Sequence, residues 1–301
     1  MDSRFTIIIP TLASRPKELE RAIASLLGQT CGKVIPFVVV NGDGYDPDLV
    51  QHLRETRSIR FLQITTPNVS RARYEGRKRV DTEYFGFLDD DDEYLPDGLR
   101  IKHDQFERRP DSDVVVGNGW HTAAGTKQLL WQDTAAIAVN PAEALISLNW
   151  LASCSALFKT QSIEAASFDF NFAYFEWTYL AMNLALKRII SFAPEPTFVI
   201  HSAPNSASDS EAYRKAYPDM LSRILEIELP RPLRCKLHRK LLAAHHNLSE
   251  HYRCRRIMST AWKHHLHSML GIHGILQYSL FTRRLLSISP RSIDPRSTHT
   301  D

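Results

Sequence analysis

Tyr84-Phe85-Gly86-Phe87-Leu88-Asp89-Asp90-Asp91-Asp92 is the stretch on which the reading of the fold turns. Its first five residues are a short continuous apolar run, the pattern of a strand covered on both faces in an α/β sheet. Four adjacent carboxylates follow, and they repel one another strongly unless a cation or solvent intervenes. Ligands of α/β sheets collect beyond the carboxyl ends of the strands, where this run falls. Two readings stay open on the run alone. One is a site for Mg²⁺ or Mn²⁺, hard ions that take carboxylate oxygens and complete their shell with substrate phosphates. The other is a solvated acidic turn ahead of a helix near Pro96.

Toward the N-terminus the strand pattern alternates with helical ones. Phe5 to Ile9 is a β-branched run stopped by Pro10, and Ser14 is placed to cap a helix with Pro16 in its first turn. Leu19, Ala22, Ile23, Leu26 and Leu27 then recur at helical spacing. A strand at Pro36 to Val40 ends in the turn-forming Asn41-Gly42-Asp43-Gly44. A helix over 47–55, a strand over 60–64 and a helix over 70–80 lead back to Tyr84. The alternation predicts an α/β fold with a mostly parallel sheet flanked by helices.

Toward the C-terminus the sequence predicts a helix from Pro96 to Arg108, a strand at Asp113 to Gly117, a helix after Asn140-Pro141, a helix over 175–187 and a closing strand at Thr197 to Ile200. The Ser-, Ala-, Asn- and Pro-rich stretch 201–210 marks a domain edge. Residues 1–208 are therefore expected to form the α/β domain, and 209–301 a basic, His-rich helical extension.

With 301 residues and 43% apolar content, the chain can bury one large core or two smaller ones. Its net charge of +3 conceals an asymmetry: residues 211–301 hold 16 Lys and Arg against 7 Asp and Glu, leaving the front acidic. Such a tail suits an anionic partner, membrane lipid or nucleic acid, or else consists of solvated helix faces. Residues 266–286, which combine Leu270, Ile272, Ile275, Leu276, Tyr278, Leu280 and Phe281 with Arg283 and Arg284, have the composition of a segment lying in a membrane interface. Packing against the first domain accounts for the same residues. The tail's histidines have no metal-site spacing. Four scattered cysteines, Cys31, Cys154, Cys235 and Cys254, read as reduced thiols in a cytosolic setting. Neither an export signal nor an 18-residue apolar window is visible, so the expectation is a cytoplasmic protein.

Across roughly residues 5–208 the chain resembles the family 2 glycosyltransferases of the GT-A fold. The resemblance rests on Phe5-Thr6-Ile7-Ile8-Ile9-Pro10-Thr11, on Leu19, Ala22, Ser25-Leu26-Leu27 and Gln29-Thr30, on Asn68 with Ala72-Arg73 and Gly76, and on the stretch from Tyr84 to Asp92. It implies an inverting, metal-dependent transfer of a sugar from a nucleoside diphosphate, UDP by preference, to an acceptor hydroxyl. The aspartate run corresponds to the family's DxD motif, with Asp89 and Asp91 on Mn²⁺ or Mg²⁺ and His201, after the closing strand, as a third ligand. Pro10, Thr11, Asn41, Asp43, Arg71, Arg73, Asp89 and Asp90 are then the donor-binding candidates. Guanidinium geometry suits Arg71 and Arg73 to a diphosphate.

In Tyr174-Phe175-Glu176-Trp177 the family has an acidic pair before Trp, and the acid adjacent to Trp is the base. Glu176 takes that role by resemblance, while Phe175 replaces the other acid. A further departure is Asn41-Gly42-Asp43-Gly44, where relatives carry two acids before Gly-Ser; either Asn41 or a shifted Asp43 then meets the nucleotide base. Ser153-Cys154-Ser155 is similar to a small polar cluster in relatives. Trp120, Trp131 and Trp150 are candidates to stack on sugars, or plain core residues. Relatives of this size suggest a bacterial surface glycan or lipid-linked acceptor at the cytoplasmic face of the inner membrane, and no nucleic acid. The rival readings are a silent nucleotide-sugar-binding protein and a metal-dependent nucleotidyltransferase.

Overall fold

The computed structural model describes residues 4–123, 125–202 and 210–286. Two compact units divide it, Met1–Ser210 and Glu211–Asp301. The first opens with the alternation β1 (Arg4–Thr11), α1 (Pro16–Leu27), β2 (Lys33–Asn41), α2 (Pro47–Glu55), β3 (Arg60–Ile64), α3 (Val69–Arg77) and β4 (Tyr84–Phe87). These four strands run parallel in the order β3-β2-β1-β4. The inner positions of β1, β2 and β4 are almost wholly buried, which is why these strands read as unbroken apolar runs rather than alternating ones, while β3 at the edge is half-buried throughout.

Pro10 does not stop β1. The strand continues to Thr11, with Pro10 opposite Val39 of β2, whereas pairing with β4 ends at Ile8. At that level β1 has a neighbour on one side only, so the missing N–H costs no ladder bond on the other. Nor does Ser14 cap α1: Arg15 occupies that position without a side-chain bond, and Pro16 begins the helix. Gly76 lets α3 lie close on the sheet, since a Cβ there would stand 2.7 Å from Ile8 Cγ2.

After the aspartates come β5 (Glu93–Tyr94), α4 (Gly98–Arg108), β6 (Val114–Ala123), β7 (Thr126–Leu129), α5 (Thr134–Val139), α6 (Pro141–Ala144), β8 (Ala156–Lys159), a 3-10 turn at Ala165–Phe168, α7 (Glu176–Lys187) and β9 (Ile190–His201). They extend the sheet as β4-β8-β6-β9-β5, with β7 on β6. β8 runs antiparallel to both β4 and β6, while β6 and β9 are parallel, so this half is mixed. Phe85, Phe87, Phe158 and Phe168 stack beneath the end of β4, with centroids 5.0 Å apart for Phe85 and Phe158 and 4.9 Å for Phe87 and Phe168. Each fully buried ring contributes about 1.5–3 kcal/mol, and together they fix where β4 releases the acidic run.

Cations are buried in this unit too: the Arg77 guanidinium lies 4.4 Å over the Phe85 ring. Lys102 of α4 is fully buried, donates to the Cys154 carbonyl at 2.6 Å and sits 4.4 Å over the Tyr94 ring. Burial pushes its amine down to about 7. The bond ties α4 to the 153–155 loop.

The second unit consists of α8 (Glu211–Glu226), α9 (Arg231–Cys254), α10 (Met258–Ser268), α11 (Gly271–Tyr278) and α12 (Phe281–Leu286). Leu248, Tyr252, Ala261, Phe281 and Leu285 form its core, with Met258 and Trp262 against them. Between α9 and α10, His245 Nδ1 and His264 Nδ1 are 3.0 Å apart. Part of the expected domain edge, 203–209, and the polar end beyond 286 lie outside the described residues. No described helix is long and apolar enough to cross a membrane.

Candidate functional site

Beyond the carboxyl ends of β1, β2 and β4 opens a cavity of about 560 Å³, lined by Pro10, Thr11, Leu12, Ser14, Arg15, Asn41, Pro67, Val69, Arg73, Asp89, Asp90 and Asp91. Six of the eight residues read as donor-binding from the sequence are among them: Pro10, Thr11, Asn41, Arg73, Asp89 and Asp90. Asp43 and Arg71 are not. Arg71 lies on the outer face of α3, paired with Glu75 at 2.5 Å and over the Tyr74 ring.

The strand ends are braced to each other. The Asn41 side-chain amide donates to the Thr11 carbonyl at 2.9 Å, and the Thr11 hydroxyl donates to Asp90 at 2.6 Å. The same hydroxyl accepts from the Ala13 N–H, holding the left-handed turn (φ +50°) in which Ala13 leaves β1. Gly42 is also left-handed (φ +90°), and a Cβ there would meet the Pro67 Cβ at 2.9 Å. Those two loops thus form the wall of the cavity.

Three arginines compensate the aspartates. Arg15 forks across Asp90 and Asp91, with 2.6 Å to Asp91, and Arg21 donates to the Asp91 carbonyl. Arg73 donates to Asp89 at 2.9 Å and, from its other terminal nitrogen, to Glu176 at 2.8 Å. That single guanidinium brings Glu176 to the acidic run from the start of α7. Burial works to lower the Arg73 pKa, but Asp89 and Glu176 outweigh it and hold the group above the ordinary arginine value. Its Nε has no hydrogen-bond partner among the described residues, and the guanidinium lies 4.9 Å over the Trp177 ring.

Burial also pushes the Asp90 carboxyl above the usual range, against Thr11 and Arg15, which lower it. Asp92, more deeply buried, is raised further by desolvation and then by Asp89. Asp92 faces inward: it accepts the His201 N–H at 3.0 Å and lies 3.9 Å from the Cys154 thiol. Burial raises that thiol well above its ordinary value, so it is held protonated. Ser153, one residue earlier, donates to Asp89 at 2.9 Å.

His201 stands on β9 beside Asp92, and its ring meets Glu93 at 2.8 Å rather than Asp89 or Asp91. Among the described residues no group of three His, Cys, Asp or Glu converges into a metal cage. Trp131 and Trp150 are buried, their indole N–H groups on the Asn149 and Pro141 carbonyls, and serve the core. Trp120 is half-buried, with Lys127 over its ring.

Glu176 is presented by an unusual backbone. Tyr174 and Phe175 are both left-handed, at φ +66° and +59°, and Phe175 occupies the cap position of α7. For non-glycine residues such conformations cost about 1–2 kcal/mol each and concentrate at functional sites. Neither this turn nor the part played by Arg15, in the loop after β1, is foreshadowed by any motif in the sequence. Ser153 was visible only as part of a small polar cluster.

The sequence profile of Glycosyl transferase family 2 matches residues 6–158 of the 301. Among solved structures, S. aureus TarS 1-349 in complex with UDP-GlcNAc is similar at a TM-score of 0.58 and 18% identity, over 83% of this chain and 73% of that one. The complex of TarS 1-349 with UDP gives 0.53 and 16%, over 83% and 72%. The longer S. aureus TarS structure gives 0.56 and 18% over 83% of this chain, which spans only 43% of its length. At these identities the likeness is one of fold, the GT-A fold with helices after it. No curated protein matches the chain.

Proposed function

The chain belongs to glycosyl transferase family 2, and from that premise we propose that it moves a sugar from a nucleoside diphosphate to an acceptor hydroxyl, with inversion at the anomeric carbon. The observation that carries the proposal is the Arg73 bridge, 2.9 Å to Asp89 and 2.8 Å to Glu176, which joins the edge of the donor cavity to a carboxylate able to act as base.

The donor's nucleotide occupies the cavity. Asn41 gives one of its two amide N–H groups to the Thr11 carbonyl, and its side-chain carbonyl oxygen is the acceptor we assign to the base. An acceptor there suits the imide N–H of uracil, and UDP-sugars are the donors we favour. The UDP and UDP-GlcNAc bound by the TarS structures are consistent with that choice. Arg15 and Arg73 face the diphosphate, for which the guanidinium fork is matched in geometry.

Asp89 and Asp91 would hold Mn²⁺ or Mg²⁺. Such ions commonly take one or two protein carboxylates and complete their shell with water and phosphate, a demand that two aspartates can meet. When bound, the ion neutralises charge growing on the leaving diphosphate. His201, with its ring on Glu93, is left out of the set.

Glu176 receives the acceptor proton. Its Oε1 accepts from Arg73, so Oε2 is the oxygen that takes the proton as the acceptor oxygen bonds to the anomeric carbon. The bond from that carbon to the diphosphate oxygen breaks on the opposite face, and the nucleoside diphosphate leaves with the electron pair. One displacement inverts the centre. We place the acceptor among bacterial surface glycans or lipid-linked saccharides.

Glu176→Gln tests the proposal: turnover of a UDP-sugar falls by about 10²–10⁴-fold while UDP affinity is kept. Unchanged turnover removes Glu176 from the chemistry. A product that retains the donor's anomeric configuration by NMR overturns the single displacement.

A further inference from the structure

Helix α11 is built the wrong way round for a soluble protein. Its buried positions are Gly274 and Tyr278, while Ile272, Ile275 and Leu276 are 80%, 51% and 79% exposed. The pattern extends to its neighbours: Leu266 and Leu270 are each 57% exposed, Leu280 72% and Leu286 69%. Isolated exposed leucines are ordinary, but seven large apolar side chains facing outward along three successive helices mark a surface that docks on something.

The charge around it indicates what. From residue 251 to residue 293 there is no Asp or Glu, while Arg253, Arg255, Arg256, Lys263, Arg283, Arg284 and Arg291 fall in the same stretch. Arg255, Arg256, Lys263, Arg283 and Arg284 are exposed. A protein partner or a second copy of this chain would satisfy the apolar side chains, yet a second copy would set this uniformly basic stretch against itself. An anionic bilayer satisfies both features, taking apolar side chains into the boundary of headgroups and acyl chains and cations among the phosphates. α11 has eight residues, and at about 1.5 Å per residue it is far too short to span a hydrocarbon core of about 30 Å.

We propose that α10, α11 and α12 dock on an anionic phospholipid surface, with Ile272, Ile275, Leu276 and Leu280 in the acyl boundary and Lys263, Arg283 and Arg284 on the headgroups. This surface does not depend on the sugar-transfer reading, and the Glu176→Gln experiment is blind to it.

The test is flotation of the full chain with phosphatidylglycerol-containing vesicles and with pure phosphatidylcholine vesicles, at low and high salt. The wild type floats with the anionic vesicles at low salt, and its partition falls by roughly tenfold or more at high salt and on neutral vesicles. Ile272→Asp combined with Leu276→Asp lowers partition by a similar factor, and because both side chains are exposed the variant keeps the wild-type circular dichroism and melting temperature. Three outcomes overturn the proposal: no flotation on anionic vesicles at low salt, equal flotation on neutral vesicles, or a doubly substituted variant that floats like the wild type. A wild type that elutes as an oligomer, stays off vesicles and becomes monomeric on the double substitution identifies a second copy as the occupant and equally overturns it.

Discussion

Replacing Arg73 by Gln gives the sharpest test of how the site is held together. The Arg73 side chain is 5% exposed and faces one carboxylate that is 13% exposed, Glu176, and one that is 38% exposed, Asp89. The two losses differ in size. Water reaches Asp89 and takes over its solvation, so that end costs about 1 kcal/mol or less. Glu176 is left as an unpaired, mostly buried charge, for which about 3 kcal/mol is the lower end of the usual penalty. The sum is about 3–4 kcal/mol. For a unit of this size each kcal/mol lowers the melting temperature by about 2–4 °C, giving a drop of about 10 °C.

The assay is a double-mutant cycle by urea denaturation, with Arg73→Gln, Glu176→Gln and the pair. Glu176→Gln alone leaves Arg73 with Asp89 and costs about 1–2 kcal/mol. The double variant has no orphan carboxylate at 176 and recovers about 2–3 kcal/mol relative to the sum of the singles. An Arg73→Gln variant destabilised by less than about 1 kcal/mol, or a double variant at the additive sum, would refute the claim that this guanidinium holds Glu176 against the acidic run.

Asp89→Asn and Asp91→Asn each weaken Mn²⁺ binding in the presence of UDP by about tenfold or more, read by electron paramagnetic resonance; unchanged affinity removes that aspartate from the ion site. Gly98→Ala places a Cβ 2.2 Å from the Thr197 carbonyl oxygen, a backbone atom that cannot step aside, and destabilises the first unit by about 2 kcal/mol or more in denaturant titration. The second unit loses stability in acid. Burial and then His264 and His267 lower His245 to about 4, and His264 is lowered as well. The unfolded histidines therefore bind protons first, and stability falls as pH drops from about 6.5 toward 4. His264→Gln makes that decline shallower in pH-dependent thermal melts, and an unaltered slope removes the His245–His264 contact as its cause.

Where the sequence was most readable, β1, β2 and β4 are buried and lie side by side, with half-buried β3 at the edge. β3 and α2 have the bounds their apolar periodicity and Pro47 predicted, because local pattern and tertiary place agree there. In the second half of the sheet they do not. β8 is four residues long, and β5 only two; both exist because other strands pair with them, which periodicity does not encode. β9 begins at Ile190 rather than Thr197, since Pro194 and Pro196 sit at the irregular register beside β6 instead of breaking the strand. The aspartate run and Thr11 could be placed at the cavity because they follow the strand ends in sequence, whereas Arg73, inside α3, was proposed from family resemblance. Arg15 and Ser153 were not legible as site residues, because what makes them part of the site is contact with residues more than 60 positions away.

The left-handed turn at Tyr174 and Phe175 gives position 175 a latent chemistry. Asn and Asp adopt that backbone more readily than an aromatic residue does, and by family resemblance an acid belongs there. Phe175→Asp is thus favoured by the backbone, which need not move to accept it. One substitution would set two carboxylates side by side at the start of α7, open to laboratory selection without rebuilding the helix behind them.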